Sequence, residues 1–243
     1  MDINEKYLAN VKSDLNKWIN EQKVKPSFFN KMTHSVQNKI NSYIPQKVHD
    51  GITKVIKSMV QSVLFGSQHT TSTPLPIETS FIHKEALVKS KIESYRNTGA
   101  VEGGITGAGG FLMSVADFPV LIAIKIKLLF EIANIYGFDV KNYKERVFIL
   151  YIFQLAFSSQ QGRNKTFEII QNWGDINQDL PINEQDFDWK TFQQEYRDYI
   201  DLAKLAQLIP IIGSAVGAIA NYKLIQKLGT TAMMCYRLRI LKN

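Results

Sequence analysis

Glycine recurs at every fourth position in two segments of this chain, and this spacing constrains the fold more than any other feature. The first segment contains Gly99, Gly103 and Gly107, and the second contains Gly213 and Gly217. Positions four apart lie on one face of a helix, so each segment would present a strip without side chains into which another backbone can settle. Each glycine costs about 1 kcal/mol relative to alanine in a helix interior, which close packing must offset. The alternative for the first segment is a flexible glycine loop.

Apolar residues elsewhere recur at helical spacing, and no region shows sustained two-residue alternation. The N-terminal stripe consists of Tyr7, Val11, Leu15, Trp18 and Ile19. A second stripe, on a helix expected to start near Pro45, consists of Val48, Ile52, Val55, Ile56, Met59, Val60, Val63 and Leu64. The sequence therefore predicts an all-α protein, a compact multi-helix domain centred on the two glycine-spaced apolar segments. We expect an N-terminal amphipathic helical arm over residues 1–65 and a helical body over residues 77–243.

Local signals place several helix boundaries. A helix over about residues 78–97 precedes the first glycine segment. Asp117 and Pro119 indicate a helix start, with Asp117 as the N-cap, and Gly137 indicates the end of the same helix. Other predicted elements are a helix over 145–157, a polar loop over 162–188, a helix over 188–207 and a short helix over 232–241.

The last apolar run, residues 205–222, contains no charged residue. Its length is marginal for a transmembrane span. Gln207, Pro210 and Asn221 would be costly in lipid without polar partners. The composition therefore favours a buried helix, or a half-inserted hairpin with the 99–136 segment.

Charge is spread unevenly along the chain, which carries a net charge of +7. Lysines outnumber acids ten to five in residues 1–60, and residues 223–243 hold five basic residues and no acid. Basic ends beside apolar segments are compatible with binding to anionic lipid or nucleic acid, and equally with a solvated surface that has no partner. No helix-turn-helix or aromatic platform motif is present, so we expect no nucleic acid partner.

The N-terminus lacks the apolar core of a signal peptide, and the single cysteine, Cys235, cannot form an internal disulfide. We therefore expect a cytoplasmic protein, which could lie at the inner face of the cell membrane.

Lys127 and Glu131 lie four residues apart among apolar neighbours, which predicts an ion pair largely removed from water. One interpretation is a polar pocket beneath the glycine strip, completed by Asp117, Asn221 and Arg237. The other interpretation is an ion pair that specifies the fold, together with an N-cap. Neither interpretation assigns a catalytic residue.

Motifs for metal, cofactor or nucleophile chemistry are absent from the sequence. The four histidines are scattered, and one cysteine cannot complete a zinc site. No G-x-S-x-G elbow occurs, and no Lys-Ser or Lys-Thr follows the glycine segment as a phosphate loop requires. We therefore expect neither a metal nor a cofactor.

Four stretches, taken in order, resemble the EcsC family of bacterial proteins. They are residues 44–48, 99–110, 116–137 and 209–222, the last continuing to Arg239. Family members often have an arginine at the position of Lys127, where this chain keeps the cation but not the bidentate fork. The family is named for a gene beside the two genes of an ABC transporter. The resemblance implies a helical protein associated with membranes or export, without an established activity.

Three hypotheses of function follow. The first is a non-enzymatic accessory protein that associates with an anionic membrane surface or binds lipid. The second is a hydrolase that acts on a lipid-like or peptide substrate through Asp117, Glu131 and Arg237. The third is a scaffold whose basic N-terminal helix docks on a transporter subunit.

Overall fold

The computed structural model describes residues 3–23, 54, 56–63, 73–108, 110–158, 160–176 and 214–242, without the side chains of residues 99–119, 214–218 and a few other helical positions. The helices are α1 Ile3–Lys23, α2 Phe81–Ala108, α3 Gly110–Tyr136, α4 Tyr143–Phe157, α5 Gln160–Gln171, α6 Trp173–Ile176 and α7 Ser214–Lys242. Residues 56–63 are also helical. No strand occurs in this part of the chain, and the prediction of an all-α, compact multi-helix fold is confirmed.

The first glycine segment is helical. Helix α2 does not end near residue 97 as predicted but continues through Gly99, Gly103 and Gly107 to Ala108. Helix α3 begins at Gly110, so the prediction that Asp117 is an N-cap is wrong. An Asp-x-Pro sequence permits a helix start but does not force one. Proline inside a helix loses one hydrogen bond and crowds the carbonyl four residues earlier, and the packing of α3 along α2 offsets that cost.

Gly137 ends α3 as predicted. Its φ of +97° lies in the left-handed region, which glycine adopts without strain. The backbone N–H of Gly137 donates to the carbonyl of Asn134 at 3.0 Å, and that of Phe138 donates to the carbonyl of Ala133 at 2.9 Å. This pair of bonds is a Schellman motif, and it satisfies carbonyls that the helix end would leave without partners.

Polar side chains cap the starts of two helices. Ser80 Oγ accepts from the backbone N–H of His83 at 3.3 Å at the start of α2. Asn142 Oδ1 accepts from the backbone N–H of Lys144 at 3.0 Å at the start of α4. Both satisfy a backbone donor that has no partner inside the helix.

Helix α4 lies at the centre of the core. Twelve of its residues are buried, which leaves almost no polar face. A helix that is apolar on all sides needs neighbours on all sides, and α4 packs against α7 and α5.

The predicted loop over residues 162–188 is wrong as far as residue 176, because α5 and α6 occupy that stretch. Phe167, Ile170 and Trp173 are buried at three-residue spacing. This spacing is the apolar stripe that polar neighbours concealed in the sequence. Trp18 of α1 packs edge-on against Phe167, with ring centroids 5.5 Å apart.

Helix α2 runs antiparallel to α7 and packs on it more extensively than any other pair of helices. Near the start of α2, Glu85 contacts Arg237, close to the end of α7. Further along, the guanidinium of Arg96 lies 3.9 Å from the ring centroid of Tyr222, close to the start of α7. The second half of α2 therefore lies beside the first part of α7.

Helices α3 and α7 run parallel to each other. Lys125, near the middle of α3, contacts Asn221 in the first third of α7, and Tyr136 at the end of α3 stacks on Tyr236 near the end of α7. Because α2 is antiparallel to both, three helix ends meet at one end of the bundle. We call this the glycine-rich end, and define it as residues 99–108, 110–121 and 214–221.

Gly229 of α7 is a close-packing glycine that the four-residue spacing did not indicate. A Cβ at this position would lie 2.6 Å from Cγ1 of Ile92 on α2, closer than two carbon atoms can approach without a bond. Of the glycines predicted for close packing, Gly99, Gly103, Gly107 and Gly217 lie in helices, and Gly213 lies outside the described residues. Their role in close packing stays a prediction.

The predicted short helix over residues 232–241 is the second half of one long helix, α7. No glycine cap or proline separates it from the preceding residues, so helical hydrogen bonding continues without a break. Within the part of the chain that the structure describes, no helix is long and apolar enough to cross a membrane.

Both predicted N-terminal stripes contribute to the core where the structure describes them. Val11 and Leu15 of α1 are buried, with Trp18 and Ile19 packed beside them. The buried residues of the second stripe are Ile56, Met59, Val60 and Val63. The rest of that stripe and the predicted helix over 188–207 lie outside the described residues. The division of the chain into an arm and a body stays a prediction.

Candidate functional site

Glu85 is a fully buried carboxylate at which four helices meet. Arg237 of α7 donates to it from Nη2, and from Nε to both oxygens at 3.1 Å. The hydroxyl of Tyr136 of α3 donates to Oε1 at 2.5 Å. The hydroxyl of Tyr7 of α1 lies 3.4 Å from Oε2. A buried charge is stable only when paired and hydrogen-bonded, and Glu85 meets both conditions.

The buried carboxylate of Glu85 shifts the pKa values of two of the residues that bind it. Burial opposes the charge of Arg237, but the hydrogen bonds and the negative charge of Glu85 outweigh burial and hold the pKa of Arg237 above its ordinary value. Burial and the charge of Glu85 raise the pKa of Tyr136 well above its ordinary value. The tyrosine therefore stays a hydrogen-bond donor and the arginine a cation throughout the physiological range.

A second buried carboxylate, Glu145 at the start of α4, pairs with two residues of α7 that lie three positions apart. The hydroxyl of Tyr236 donates to Oε1 at 2.6 Å, and Arg239 donates to Oε1 at 3.1 Å and Oε2 at 2.8 Å. The guanidinium of Arg239 also lies 4.0 Å from the ring centroid of Phe138 and 4.3 Å from that of Phe148. Arg239 thus combines an ion pair with cation–π contacts.

Tyr136 and Tyr236 connect the two carboxylate centres. Their rings stack with centroids 5.5 Å apart, and each hydroxyl donates to a different carboxylate. Burial and the charge of Glu145 raise the pKa of Tyr236 well above its ordinary value. The two ion pairs and the stacked tyrosines form one polar layer at the end of the bundle opposite the glycine-rich end.

Glu131 does not form the buried ion pair with Lys127 that the sequence predicts. Lys127 is exposed, and the partners of Glu131 come from α2: Lys91 Nζ at 2.9 Å and the hydroxyl of Tyr95 at 2.7 Å. Burial works to raise the pKa of Glu131, but the hydrogen bonds from Tyr95 and Lys91 and the charges of Lys91 and Lys127 outweigh it and lower the pKa. Lys127 therefore acts on Glu131 through its charge.

The buried lysine of α3 is Lys125, one half-turn away from Lys127. Its side chain is fully buried, and Nζ donates to Asn221 Oδ1 of α7 at 2.8 Å and to the carbonyl of Leu121 at 3.2 Å. Both acceptors are neutral. Burial lowers the pKa of Lys125 to about 7.

The described contacts do not bring the predicted pocket residues together. Arg237 contacts Glu85, and Asn221 contacts Lys125. Glu131 has its own partners on α2, and the side chain of Asp117 lies outside the described residues. That these residues line a ligand pocket stays a prediction.

Sequence reasoning missed Glu85 and Lys125, although a signal was present. Glu85 lies four residues after Phe81, in register with the apolar stripe of α2. Lys125 lies between Leu121 and Leu128 on the buried stripe of α3 in the same way. A charged residue in register with a buried stripe indicates a buried charge.

Metal binding has no geometric basis in the described part of the chain, where no group of three histidine, cysteine, aspartate or glutamate residues could hold an ion. Cys235 is buried, and burial raises the pKa of its thiol far above the ordinary value. Such a thiol is protonated and unreactive at neutral pH.

The described helices form an all-α bundle with ion-paired charges in its core. The chain belongs to the EcsC protein family, whose family model matches residues 9–241. It is 48% identical over 219 residues to Protein EcsC of Bacillus subtilis (strain 168), covering 90% of each chain. It is 26% identical over 245 residues to the uncharacterized protein YdbA of the same organism, covering 93% of this chain and 90% of that protein. No solved structure matches it.

The family match begins at residue 9, inside α1, and therefore includes most of the segment predicted as an arm. This agrees with the burial of Val11 and Leu15 in the core. The names of the relatives state no activity, so function has to be argued from the geometry of the chain.

Proposed function

We propose that this protein is a peripheral membrane accessory protein that contacts anionic bilayers with its glycine-rich end. The supporting observation is the register of the bundle, in which α2 is antiparallel to α3 and α7. This register gathers three stretches with only two charged residues, Glu102 and Asp117, at one end. The rest of each stretch is glycine-rich or apolar, the composition expected of a surface that enters the headgroup region.

Two large apolar residues are exposed at this end. Val120 on α3 is 51% exposed, and Ile219 on α7 is 57% exposed. Single exposed apolar residues are ordinary on protein surfaces. Both residues lie at the weakly charged end of the bundle, where end-on contact with a bilayer would cover them.

Each exposed apolar residue has a lysine on the same face of its helix. Lys127 follows Val120 by seven residues, and Lys223 follows Ile219 by four, and both lysines are exposed. An apolar tip with lysines one or two turns behind it suits an anionic membrane, because the tip can enter the interface while the ammonium groups reach lipid phosphates. The charge pattern therefore supports an anionic bilayer as the partner.

Co-sedimentation with vesicles tests this proposal. The wild-type chain should pellet with vesicles of phosphatidylglycerol and phosphatidylcholine, and much less with phosphatidylcholine alone. Replacing Lys127 and Lys223 by Gln should weaken binding roughly fivefold per lysine, since a lysine near an anionic surface contributes about 1 kcal/mol. The double variant V120S and I219S should also bind less.

Matched control variants lie at the opposite end of the molecule. Ile77 is 88% exposed on the segment that crosses the end of α3, where the backbone N–H of Leu75 donates to the carbonyl of Asn134 at 2.8 Å. Lys141 is exposed beyond the same helix end. Ile77→Ser and Lys141→Gln should leave vesicle binding unchanged. Equal losses in both sets of variants, or no binding to anionic vesicles by the wild type, would contradict the proposal.

Docking of the N-terminal helix on a transporter subunit stays a prediction. The exposed lysines of α1 that could carry it are Lys6, Lys12, Lys17 and Lys23. Because Val11 and Leu15 are buried, deleting this helix would expose the core. Lys12→Glu and Lys17→Glu would test it without that damage, by loss of the subunit in a pull-down from a folded protein.

A further inference from the structure

Lys125 differs from Arg237 and Arg239 of α7 in the neutrality of its partners. Both arginines pair with carboxylates, whereas Lys125 donates to an amide oxygen of Asn221 and a backbone carbonyl. An ammonium group has three donors and a full charge, so two neutral acceptors compensate its burial only in part. The structure therefore favours the neutral amine, in line with the lowered pKa of Lys125.

No described carboxylate pairs with Lys125, and the side chains of Glu102 on α2 and Asp117 on α3 lie outside the described residues. The described charged residues on neighbouring turns of the three helices are Glu93 and Arg96 on α2, Lys127 and Glu131 on α3, and Lys223 on α7. Glu93 pairs with Arg96 at 2.8 Å, and Glu131 pairs with Lys91. Lys127 and Lys223 are exposed.

The contact between Lys125 and Asn221 ties α3 to α7 directly behind the glycine-rich end. Val120 precedes Lys125 by five residues, and Ile219 precedes Asn221 by two. A change in this contact therefore acts on the part of both helices that presents the exposed apolar residues. Farther along, the stacked rings of Tyr136 and Tyr236 hold the same two helices together independently.

We propose that the Lys125–Asn221 contact is a proton-operated latch: protonation of Lys125 separates α3 from α7 at the glycine-rich end and exposes apolar surface for lipid insertion. The lipid step rests on the proposed function, and the opening step does not. The charged ammonium favours conformations in which it reaches water, and these require the two helix ends to part. The opposite halves stay packed, so opening is local.

An anionic membrane would itself promote this opening. The negative surface potential of an anionic leaflet enriches protons near the surface roughly threefold over bulk solution. It also attracts the lysine once it is charged. Membrane contact and protonation therefore favour the same open state, as linkage requires of two processes that prefer one conformation.

Hydrogen exchange without lipid tests the opening step. Protection of residues 120–126 and 219–226, corrected for intrinsic exchange rates, should fall severalfold in the wild type from about pH 9 to about pH 7, because Lys125 binds its proton near the ordinary lysine pKa of 10.5 in the open state and only near 7 in the closed state. Residues 129–136 and 231–239 should stay protected. If the protection of residues 120–126 and 219–226 does not change across this range, the wild-type measurement alone overturns the latch.

Two substitutions assign the effect to Lys125. Lys125→Met keeps the length of the side chain without a charge, and should keep high protection at both pH values. Lys127→Met removes an exposed lysine two positions away, and should open with pH as the wild type does. Loss of the pH effect in both variants, or in neither, would overturn the proposal.

Vesicle binding at the two pH values separates the latch from the proposed function. Wild-type binding to phosphatidylglycerol vesicles should increase severalfold at the lower pH, and binding of the Lys125→Met variant should not. Opening without binding at either pH would sink the proposed function and leave the latch. Binding without any pH-dependent opening would sink the latch and leave the proposed function.

Discussion

Glu85 and Arg237, 152 positions apart in the chain, form a buried ion pair that joins the first half of α2 to the second half of α7. Both carboxylate oxygens accept from the guanidinium, and the hydroxyls of Tyr136 and Tyr7 occupy further positions on the same carboxylate. Such a pair is costly to desolvate and costly to break. It fixes which residues of the two helices lie opposite each other.

We expect Glu85→Gln to destabilise the protein by about 3–5 kcal/mol, because it leaves Arg237 charged and unpaired in the core. The free energy of unfolding in urea measures this effect. Glu93→Gln is the matched control, since Glu93 pairs with Arg96 on the surface and an exposed pair contributes about 0–1 kcal/mol. Similar losses in the two variants would mean that Glu85 carries no special stabilisation.

We expect Tyr236→Phe to cost about 1–2 kcal/mol, because it removes the 2.6 Å hydrogen bond to Glu145 while the ring contacts remain. Tyr236→Leu also removes the stack on Tyr136 and the contact with Arg239, and should cost about 2–3 kcal/mol more. Thermal unfolding of both variants compares the contribution of the Tyr236 hydroxyl with that of its ring. A Phe variant as unstable as the Leu variant would show that the hydroxyl dominates.

We expect Gly229→Ala to destabilise the protein, although alanine is the better helix former by about 1 kcal/mol. The new methyl group would overlap Ile92, and overpacking of this kind costs about 1–3 kcal/mol. Gly174→Ala is the control, because nothing lies within 4 Å of the added Cβ. In an Ile92→Ala background, Gly229→Ala should no longer destabilise the protein. If the effects of the two substitutions on the free energy of unfolding simply add, residues 229 and 92 are not in direct contact.

We expect the stability of the protein to rise with pH in a window set by Lys125. Burial lowers the pKa of Lys125 from 10.5 to about 7, so between these pH values the unfolded chain binds a proton that the folded chain releases. The free energy of unfolding then increases by up to about 1.4 kcal/mol per pH unit within the window. Lys125→Met should abolish this rise, and Lys127→Met should retain it. Urea unfolding at a series of pH values between about 7 and about 9 measures the difference.

Local patterns predicted most of the helices and failed mainly at their boundaries. The stripe of α1, the helix that became α4 and the glycine end of α3 were predicted, because each depends on neighbours within one or two turns. The start of α3 at Asp117 was wrong, because cap and proline signals report what a turn permits and not whether packing against α2 extends the helix. The prediction of a loop over most of the residues of α5 was wrong, because only two buried apolar residues, Phe167 and Ile170, form the apolar stripe of this helix.

The polar site was less accessible to sequence reasoning than the fold. Lys127 and Glu131 were paired because four-residue spacing places them on one face, yet Glu131 takes its partner Lys91 from α2. Arg237 and Asn221 were selected from the sequence as candidate pocket residues, but their partners, Glu85 and Lys125, lie 152 and 96 positions away. The spacing of residues along one helix does not indicate which face a neighbouring helix turns toward it.

The sequence by itself determined the all-α class, the helical faces that are buried and the segments that lack side-chain bulk, since these depend on periodicity within single helices. Tertiary structure alone decided which helix ends meet, which carboxylate each cation pairs with, and that Gly229, outside both glycine-spaced segments, admits Ile92. The physical reason is that a buried charge or a missing side chain is compatible with many partners, and only the simultaneous packing of all helices selects one of them.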